Sequence, residues 1–274
     1  MAEELVLYET DKQVSIITIN RPEKLNAVSP ELRGQLCDAF AQADADKMTS
    51  VVVLQANGRS FCVGYDINTG DPEKEKNRHD ALKWHESLTE DMAFEFAPWD
   101  MRKPVIASVQ GHALGGGCEL TMFCDITIAA DNALFGEPEI RFSNVGPAII
   151  MPWMIGYKKA RELLYFGDMI DAETAERLGM VNHVVPLKEL EAFTMNFAKR
   201  MTLIAPEALE KTKLAINRGA DCKGFRNAMQ AGLDIVAPIY AAKTEVGLKF
   251  TEIRLKDGLP AALKWRRDQF AQYE

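Results

Sequence analysis

Residues 111–125 read GHALGGGCELTMFCD: three consecutive glycines run into one carboxylate and an apolar stretch. Glycine lacks a β-carbon, so Gly115, Gly116 and Gly117 let backbone amides approach a ligand oxygen closely. A helix starting at about 117 has unpaired amides in its first turn, and with its dipole these favour negative charge developing on a bound group. That is the chemistry of an oxyanion hole, with Glu119 at the edge as an acid or base. The second donor is expected from GRSFCVGYDIN (58–68), which follows an apolar run and also carries a glycine at a turn. By itself Glu119 reads equally as a charge at a helix N-terminus, and the glycines as tight helix–strand packing.

The elements that must hold these residues alternate along the chain. Leu5–Tyr8 and Val14–Ile19 are short β-rich runs around ETDKQ, which suggests a hairpin. SPELRGQLCDAF has Ser29 as N-cap and Pro30 at the first helical position, and Leu32, Leu36 and Phe40 recur every four residues as on one face of a helix. SVVVLQA (50–56), PVIASVQG (104–111) and ITIAA (126–130) are apolar runs of strand length. Buried strands alternating with helices give an α/β architecture. Residues 71–103 read as a helix after a mobile loop. From about 158 onward the pattern is helical, with a C-cap at Gly179, one strand at 181–185, and breaks near Pro206, Gly219 and Gly258.

Composition narrows the functions open to such a chain. It has 274 residues, 47% hydrophobic and 26% charged, enough for one large domain with an appendage. A formal net charge of −8 argues against nucleic acid as a partner. Five scattered cysteines read as reduced thiols, and neither a signal sequence nor a membrane-length apolar run is evident, so a cytoplasmic location is expected. His79 and His85 lie on a charged segment without ligand-like partners, His112 reads as packing, and no metal site is expected. GxGxxG, GxxxxGK[ST] and GxSxG are absent.

Four ordered segments carry a specific resemblance: NRPEKLNAVS, ANGRSFCVGYDI, KPVIASVQGHALGGGCELTMFCDITIAADNALFGEPEI and GDMIDAETAERLGMVNHVVP. Together they resemble the enoyl-CoA hydratase/isomerase (crotonase) family over roughly residues 5–200, and KDGLPAALKWRRDQF looks like the family's C-terminal helix. The resemblance implies a crotonase-like spiral of ββα units over 1–198, and a C-terminal helical trimerisation region over 199–274. It implies an acyl-CoA thioester as substrate, with no cofactor beyond that coenzyme A, and a homotrimer or homohexamer. The thioester oxygen would sit between the backbone amides of Tyr65 and Gly116. Since only the amide is used there, the Tyr65 side chain is expected at most to narrow the pocket. Val63, Asp66, Ile67, Asn68 and Gly115 would lie along the coenzyme A and acyl path. Ala27 would also contact the substrate, and Arg59, with Lys24 as the weaker candidate, would be nearer the phosphates, where Arg59 reads equally as a solvated surface cation.

The resemblance also assigns two catalytic glutamates, Glu119 in GGGCEL and Glu139 in FGEPEI. Adding water across an α,β-double bond needs a base for the water and an acid for Cα. Two close carboxylates push their titrations apart and can fill both roles. The pair favours hydration over isomerisation, with an inactive thioester-binding homologue as the non-enzymatic alternative. Glu137, two residues before Glu139, is a competing assignment that geometry must settle. RFSNVGPAIIMPWMIG departs from the glycine-rich turn usual after PEI, so the wall beside Glu139 is expected to be remodelled. FEFAPWD (94–100) is expected to line the same pocket.

Overall fold

The computed structural model describes residues 3–67, 79–242 and 244–273, and Asn68 together with most of the expected mobile loop lies outside them. The strands are β1 (Val6–Asp11), β2 (Val14–Ile19), β3 (Val51–Ala56), β4 (Val105–Val109), β5 (His112–Leu114), β6 (Ile126–Ala130), β7 (Leu134–Gly136), β8 (Ile170–Asp171) and β9 (His183–Val185). The helices of the first half are α1 (Pro30–Ala45), α2 (Ala81–Glu95), α3 (Ala97–Asp100), α4 (Gly116–Phe123), α5 (Met151–Ile155) and α6 (Tyr157–Phe166). Then follow α7 (Ala172–Leu178), α8 (Leu190–Met201), α9 (Pro206–Cys222), α10 (Phe225–Ala241), α11 (Glu245–Asp257) and α12 (Leu259–Phe270).

Two sheets run side by side along the chain. The larger has the order β1-β2-β3-β4-β6-β9, parallel except for the β1–β2 hairpin, and the smaller has the order β5-β7-β8. From β4 to β7 the chain alternates, laying one strand in the larger sheet and the next in the smaller. Gly111 makes the corner between β4 and β5 with φ +59, and a β-carbon there would stand 2.0 Å from Arg59 O. This is the ββα spiral of the crotonase fold.

The apolar runs are continuous because the larger sheet is covered on both faces. Val52, Leu54, Val105 and Ala107 pack toward Leu32, Leu36 and Phe40 of α1 and Leu120 and Phe123 of α4. The alternate residues Val51, Val53, Ile106 and Ile128 pack toward Leu190 and Ala198 of α8. Helix ends follow the residues at them: Ser29 Oγ accepts from Leu32 N at 3.2 Å, and Gly179 closes α7 in the left-handed region at φ +83.

The expected break at Gly219 is corrected. Helix α9 runs through it to Cys222, and the chain turns at Gly224, where φ is +92. Gly219 has a helical φ and open space around it, whereas Gly224 needs the left-handed conformation that glycine adopts without strain. Helix α10 buries Phe225, Met229, Leu233 and Ala237 at four-residue spacing, so this face returns to the chain's own core. Ile235 on the same helix is 77% exposed. No helix among the described residues is long and apolar enough to cross a membrane.

Candidate active site

The glycine run turns from β5 into α4. Gly115 has φ +54, its amide donates to Gly136 O at 2.9 Å, and its carbonyl accepts from Cys118 N and Glu119 N as the helix starts. Helix α4 begins at Gly116, one residue before the expected start. The loop carrying Tyr65 lies against this turn, because a β-carbon on Gly64 would be 3.5 Å from Gly116 N and 3.0 Å from Leu114 O. Tyr65 bridges Val28 in parallel, with Val28 N donating to Gly64 O and Asp66 N to Val28 O. Among the described residues neither Tyr65 N nor Gly116 N makes a backbone hydrogen bond. The two expected oxyanion donors therefore stand on neighbouring segments with both amides available.

Four glutamates converge on this turn. Glu119, on the first turn of α4, is fully buried, and its Oε1 accepts from Ala148 N at 3.1 Å. Glu139 is half-buried and packs on Gly115. Glu137 is 3% exposed and faces inward beside both. Geometry separates these last two, since it is Glu139 whose carboxylate touches the Gly115–Gly116 turn.

The fourth, Glu95 at the end of α2, was not anticipated. It is fully buried, and its Oε1 accepts from the Tyr65 hydroxyl at 2.6 Å. A signal for it was present: Leu88, Asp91, Met92 and Glu95 share the buried stripe of α2, so helical spacing puts Glu95 on the core side. Two expectations are corrected with it. The Tyr65 side chain is a hydrogen-bonding part of the site. The rings of FEFAPWD belong to the core, with Phe96 4.5 Å from Phe123 and Trp99 stacked 4.5 Å from Phe225.

The electrostatics follow from burial. Among the described residues none of the four glutamates forms an ion pair. Burial pushes the Glu119 carboxyl well above the usual range, and the charges of Glu95 and Glu139 add to the rise. Glu95 is raised by burial too, against the opposing hydrogen bonds from Tyr65 and Glu119. Glu137 rises by burial and by the charges of Glu119 and Glu139. Glu139, more open to solvent, is pushed up to about 7 by burial. Such a set retains protons above the usual carboxylate range, and Glu139 can exchange one near neutral pH.

The segment after PEI closes over Glu119. A β-carbon on Gly146 would stand 2.3 Å from Glu119 Oε1, so this glycine is where the wall meets the carboxylate. Val145 O accepts from the Tyr240 hydroxyl at 2.5 Å, and the Tyr240 ring packs tilted against Trp84 with centroids 5.1 Å apart. Thus α10 and α2 hold the remodelled wall in place.

The expected coenzyme A residues lie on the outer side of the Tyr65 loop. Lys24 and Arg59 are exposed, Ala27 is buried, and Val63 and Ile67 are half-buried. Asn26 ties the two segments together, its Nδ2 donating to Asn57 O at 2.9 Å and Ser60 O at 2.8 Å. Asp66 pairs with Arg21 at 2.7 Å, and Ile67 O accepts from Arg254 of α11. Sequence reasoning passed over Arg21, Asn26 and Arg254. His112 Nδ1 shares a hydrogen bond with Ser60 Oγ at 3.2 Å.

Comparison with known proteins gives the family. The family profile described as enoyl-CoA hydratase/isomerase matches residues 9–252. The chain belongs to the enoyl-CoA hydratase/isomerase family. Within that family it is 33% identical over 277 residues to a probable enoyl-CoA hydratase of Mycobacterium tuberculosis, covering 98% of this chain and 99% of the relative. The structure is similar to an enoyl-CoA hydratase/isomerase from Xanthobacter autotrophicus Py2, with TM-score 0.92, 35% identity, and 97% and 98% of the two chains covered. It is also similar to a probable enoyl-CoA hydratase from Mycobacterium thermoresistibile, with TM-score 0.81, 33% identity, and 86% and 95% covered.

Proposed function

We propose that this member of the enoyl-CoA hydratase/isomerase family hydrates an α,β-unsaturated acyl-CoA thioester, or dehydrates the 3-hydroxyacyl product. The observation that carries the reading is the pair of buried or half-buried carboxylates, Glu119 and Glu139, beside two amides, Tyr65 N and Gly116 N, that make no backbone hydrogen bond among the described residues. The thioester oxygen would bind between those amides, which stabilise it as electron density moves from the double bond toward an enolate. One glutamate would take a proton from water as the water oxygen bonds to Cβ, and the other would give a proton to Cα. Val63, Asp66, Ile67, Asn68 and Gly115 are proposed along the thioester arm, Ala27 as a further substrate contact, and Lys24 and Arg59 toward the phosphates. No cofactor beyond the substrate's coenzyme A enters the scheme.

We also infer a homotrimer or homohexamer built through residues 199–274. Leu203, Ile235 and Leu255 of this region are 82%, 77% and 69% exposed on the single chain, as an apolar surface awaiting a second copy would be. A cytoplasmic location is proposed on the five free cysteines, and no nucleic-acid partner on the net charge of −8.

The functional reading is tested by incubating the protein with a panel of enoyl-CoA thioesters and following product mass. Gain of one water on at least one thioester is expected. Migration of the double bond without mass change would assign isomerisation instead, and tight binding of every thioester with no conversion would leave a binding protein.

A further inference from the structure

The segments 63–67 and 138–150 carry the Tyr65 amide, Glu139 and the wall over Glu119, yet neither contains a strand or an α-helix. Such loops lack the ladder of hydrogen bonds that would hold them to the fraction of an ångström catalysis needs. Three successive C-terminal helices reach back to them, each with one side-chain donor on one loop carbonyl. From α10 the Tyr240 hydroxyl donates to Val145 O. From α11 the Arg254 guanidinium donates to Ile67 O, two residues after Tyr65. From α12 Arg266 Nε donates to Arg141 O, two residues after Glu139. No backbone amide among the described residues donates to Arg141 O, so Arg266 supplies what secondary structure does not.

The surroundings of Arg266 argue that it does more than dock its helix. It is half-buried, its guanidinium lies 4.8 Å from the Phe270 ring centre, and that of Arg141 lies 4.2 Å from the same ring. Arg141 is paired with Asp168, whereas Arg266 has no carboxylate partner among the described residues. Burial, then the Arg141 charge, pull its pKa below the ordinary guanidinium range. Holding a second cation there without a counter-charge is unfavourable, and an apolar side chain would dock α12 without that cost. Docking has other contacts: Phe250 of α11 stacks on Phe142, with ring centres 4.8 Å apart.

We propose that the α11–α12 hairpin is a clamp on the active site, in which Arg266 positions Glu139 and Arg254 positions the Tyr65 amide. This rests on the hydration reading, which gives Glu139 and that amide their tasks. Arg266 fixes the carbonyl near the end of the short turn Pro138–Phe142, so that the Glu139 carboxylate stays on Gly115. Arg254 fixes the chain beyond Tyr65, so that its amide stays beside Gly116. Neither arginine touches the reacting atoms, and both act through the backbone they hold.

The test compares Arg266→Met and Arg254→Met with wild type, as full-length protein, by enoyl-CoA hydration kinetics and by amide hydrogen exchange read by mass spectrometry. Methionine keeps an unbranched apolar stem while removing the donor and the charge. Arg266→Met should lower kcat roughly tenfold with KM little changed, because a displaced carboxylate weakens the transition state more than binding. Arg254→Met should lower kcat and also raise KM severalfold, since its loop is proposed along the thioester arm. Arg266→Lys, which retains a donor, should recover part of the lost kcat. Exchange should rise in residues 139–146 of Arg266→Met and in 63–67 of Arg254→Met, while residues 245–270 stay as protected as in wild type. That pattern needs no activity, so it would support the clamp even in a protein that hydrates no thioester. Loop exchange unchanged from wild type, or wild-type kcat in both methionine variants, would overturn the proposal. So would exchange rising throughout 245–270, which would mean that the arginines only dock the hairpin. Arg254→Met decides if Arg266→Met does not fold.

Discussion

The carboxylate of Glu139 lies directly on Gly115: a β-carbon there would stand 1.7 Å from Oε1 and 2.8 Å from the carboxyl carbon. Gly115 is also held at φ +54, where a larger residue is strained. Gly115→Ala should therefore push Glu139 away from the oxyanion turn. A kcat loss of ~10²-fold is expected, larger than any change in KM. Steady-state kinetics on the folded variant checks it, and unchanged kcat would mean that Glu139 does not act from this position.

Gly116 gives a second test on the same turn. A β-carbon there would stand 2.5 Å from Tyr65 Cε2 and 3.1 Å from Glu95 Oε1. Gly116→Val should displace the Tyr65 ring and misalign the amide of residue 116. Loss of one oxyanion donor typically costs ~10²–10³ in rate. A crystal structure with a bound acyl-CoA should put the thioester oxygen about 2.7–3.1 Å from both nitrogens. A carbonyl bound elsewhere would refute the oxyanion assignment.

The raised carboxyls make folding stability depend on pH in a definite direction. Glu139 titrates at about 7 when folded. Unfolded, a glutamate titrates near ~4.3. Between these values the folded state holds a proton that the unfolded state has released. The stability from this group is thus full below about pH 4.3 and is lost as pH rises through about 7. Glu95, Glu119 and Glu137 act with the same sign. Glu119→Gln and Glu139→Gln should each raise the melting temperature relative to wild type at pH 8, at roughly 2–4 °C per kcal/mol, and much less at pH 5. An advantage that grows toward acid pH would contradict the shifts.

Lys213 anchors the C-terminal helices to the spiral. Its Nζ donates to Pro98 O at 2.6 Å and Lys103 O at 2.9 Å, and pairs with Asp125 at 2.7 Å. Lys213→Met would remove the ion partner of Asp125, which keeps the hydrogen bond from Val105 N, and would cost about 1–3 kcal/mol. Urea unfolding should show this as a lower midpoint, with hydration kinetics little changed in the fraction that remains folded.

Assembly is tested by light scattering. A mass of three or six chains is expected, and Ile235→Glu, at an exposed apolar position on α10, should lower it. A wild-type mass of one chain with full activity would remove residues 199–274 from any role in oligomerisation.

Much of this was readable from the chain. Ser29 and Pro30 marked the start of α1, the apolar runs gave the parallel strands, and the glycine triplet with Glu119 marked the central turn. These signals are local: a cap, a period or a backbone requirement sits in a few adjacent residues. Glu95 lay among many charged residues of α2 and became distinctive only when tertiary packing brought Tyr65 to it from 30 positions earlier. Gly219 and Gly224 show the same limit, since composition alone does not say which glycine takes the left-handed conformation. Ala148, the amide that meets Glu119, comes from a segment whose sequence departs from the family pattern.

The most direct test is hydration of an enoyl-CoA thioester in water enriched in heavy oxygen, run with wild type, Glu119→Gln and Glu139→Gln. Wild type should form a 3-hydroxyacyl-CoA carrying one heavy oxygen, and each variant should be slower by ~10²–10⁴ with binding largely kept. Product without heavy oxygen, or two variants as fast as wild type, would contradict the two-glutamate hydration site.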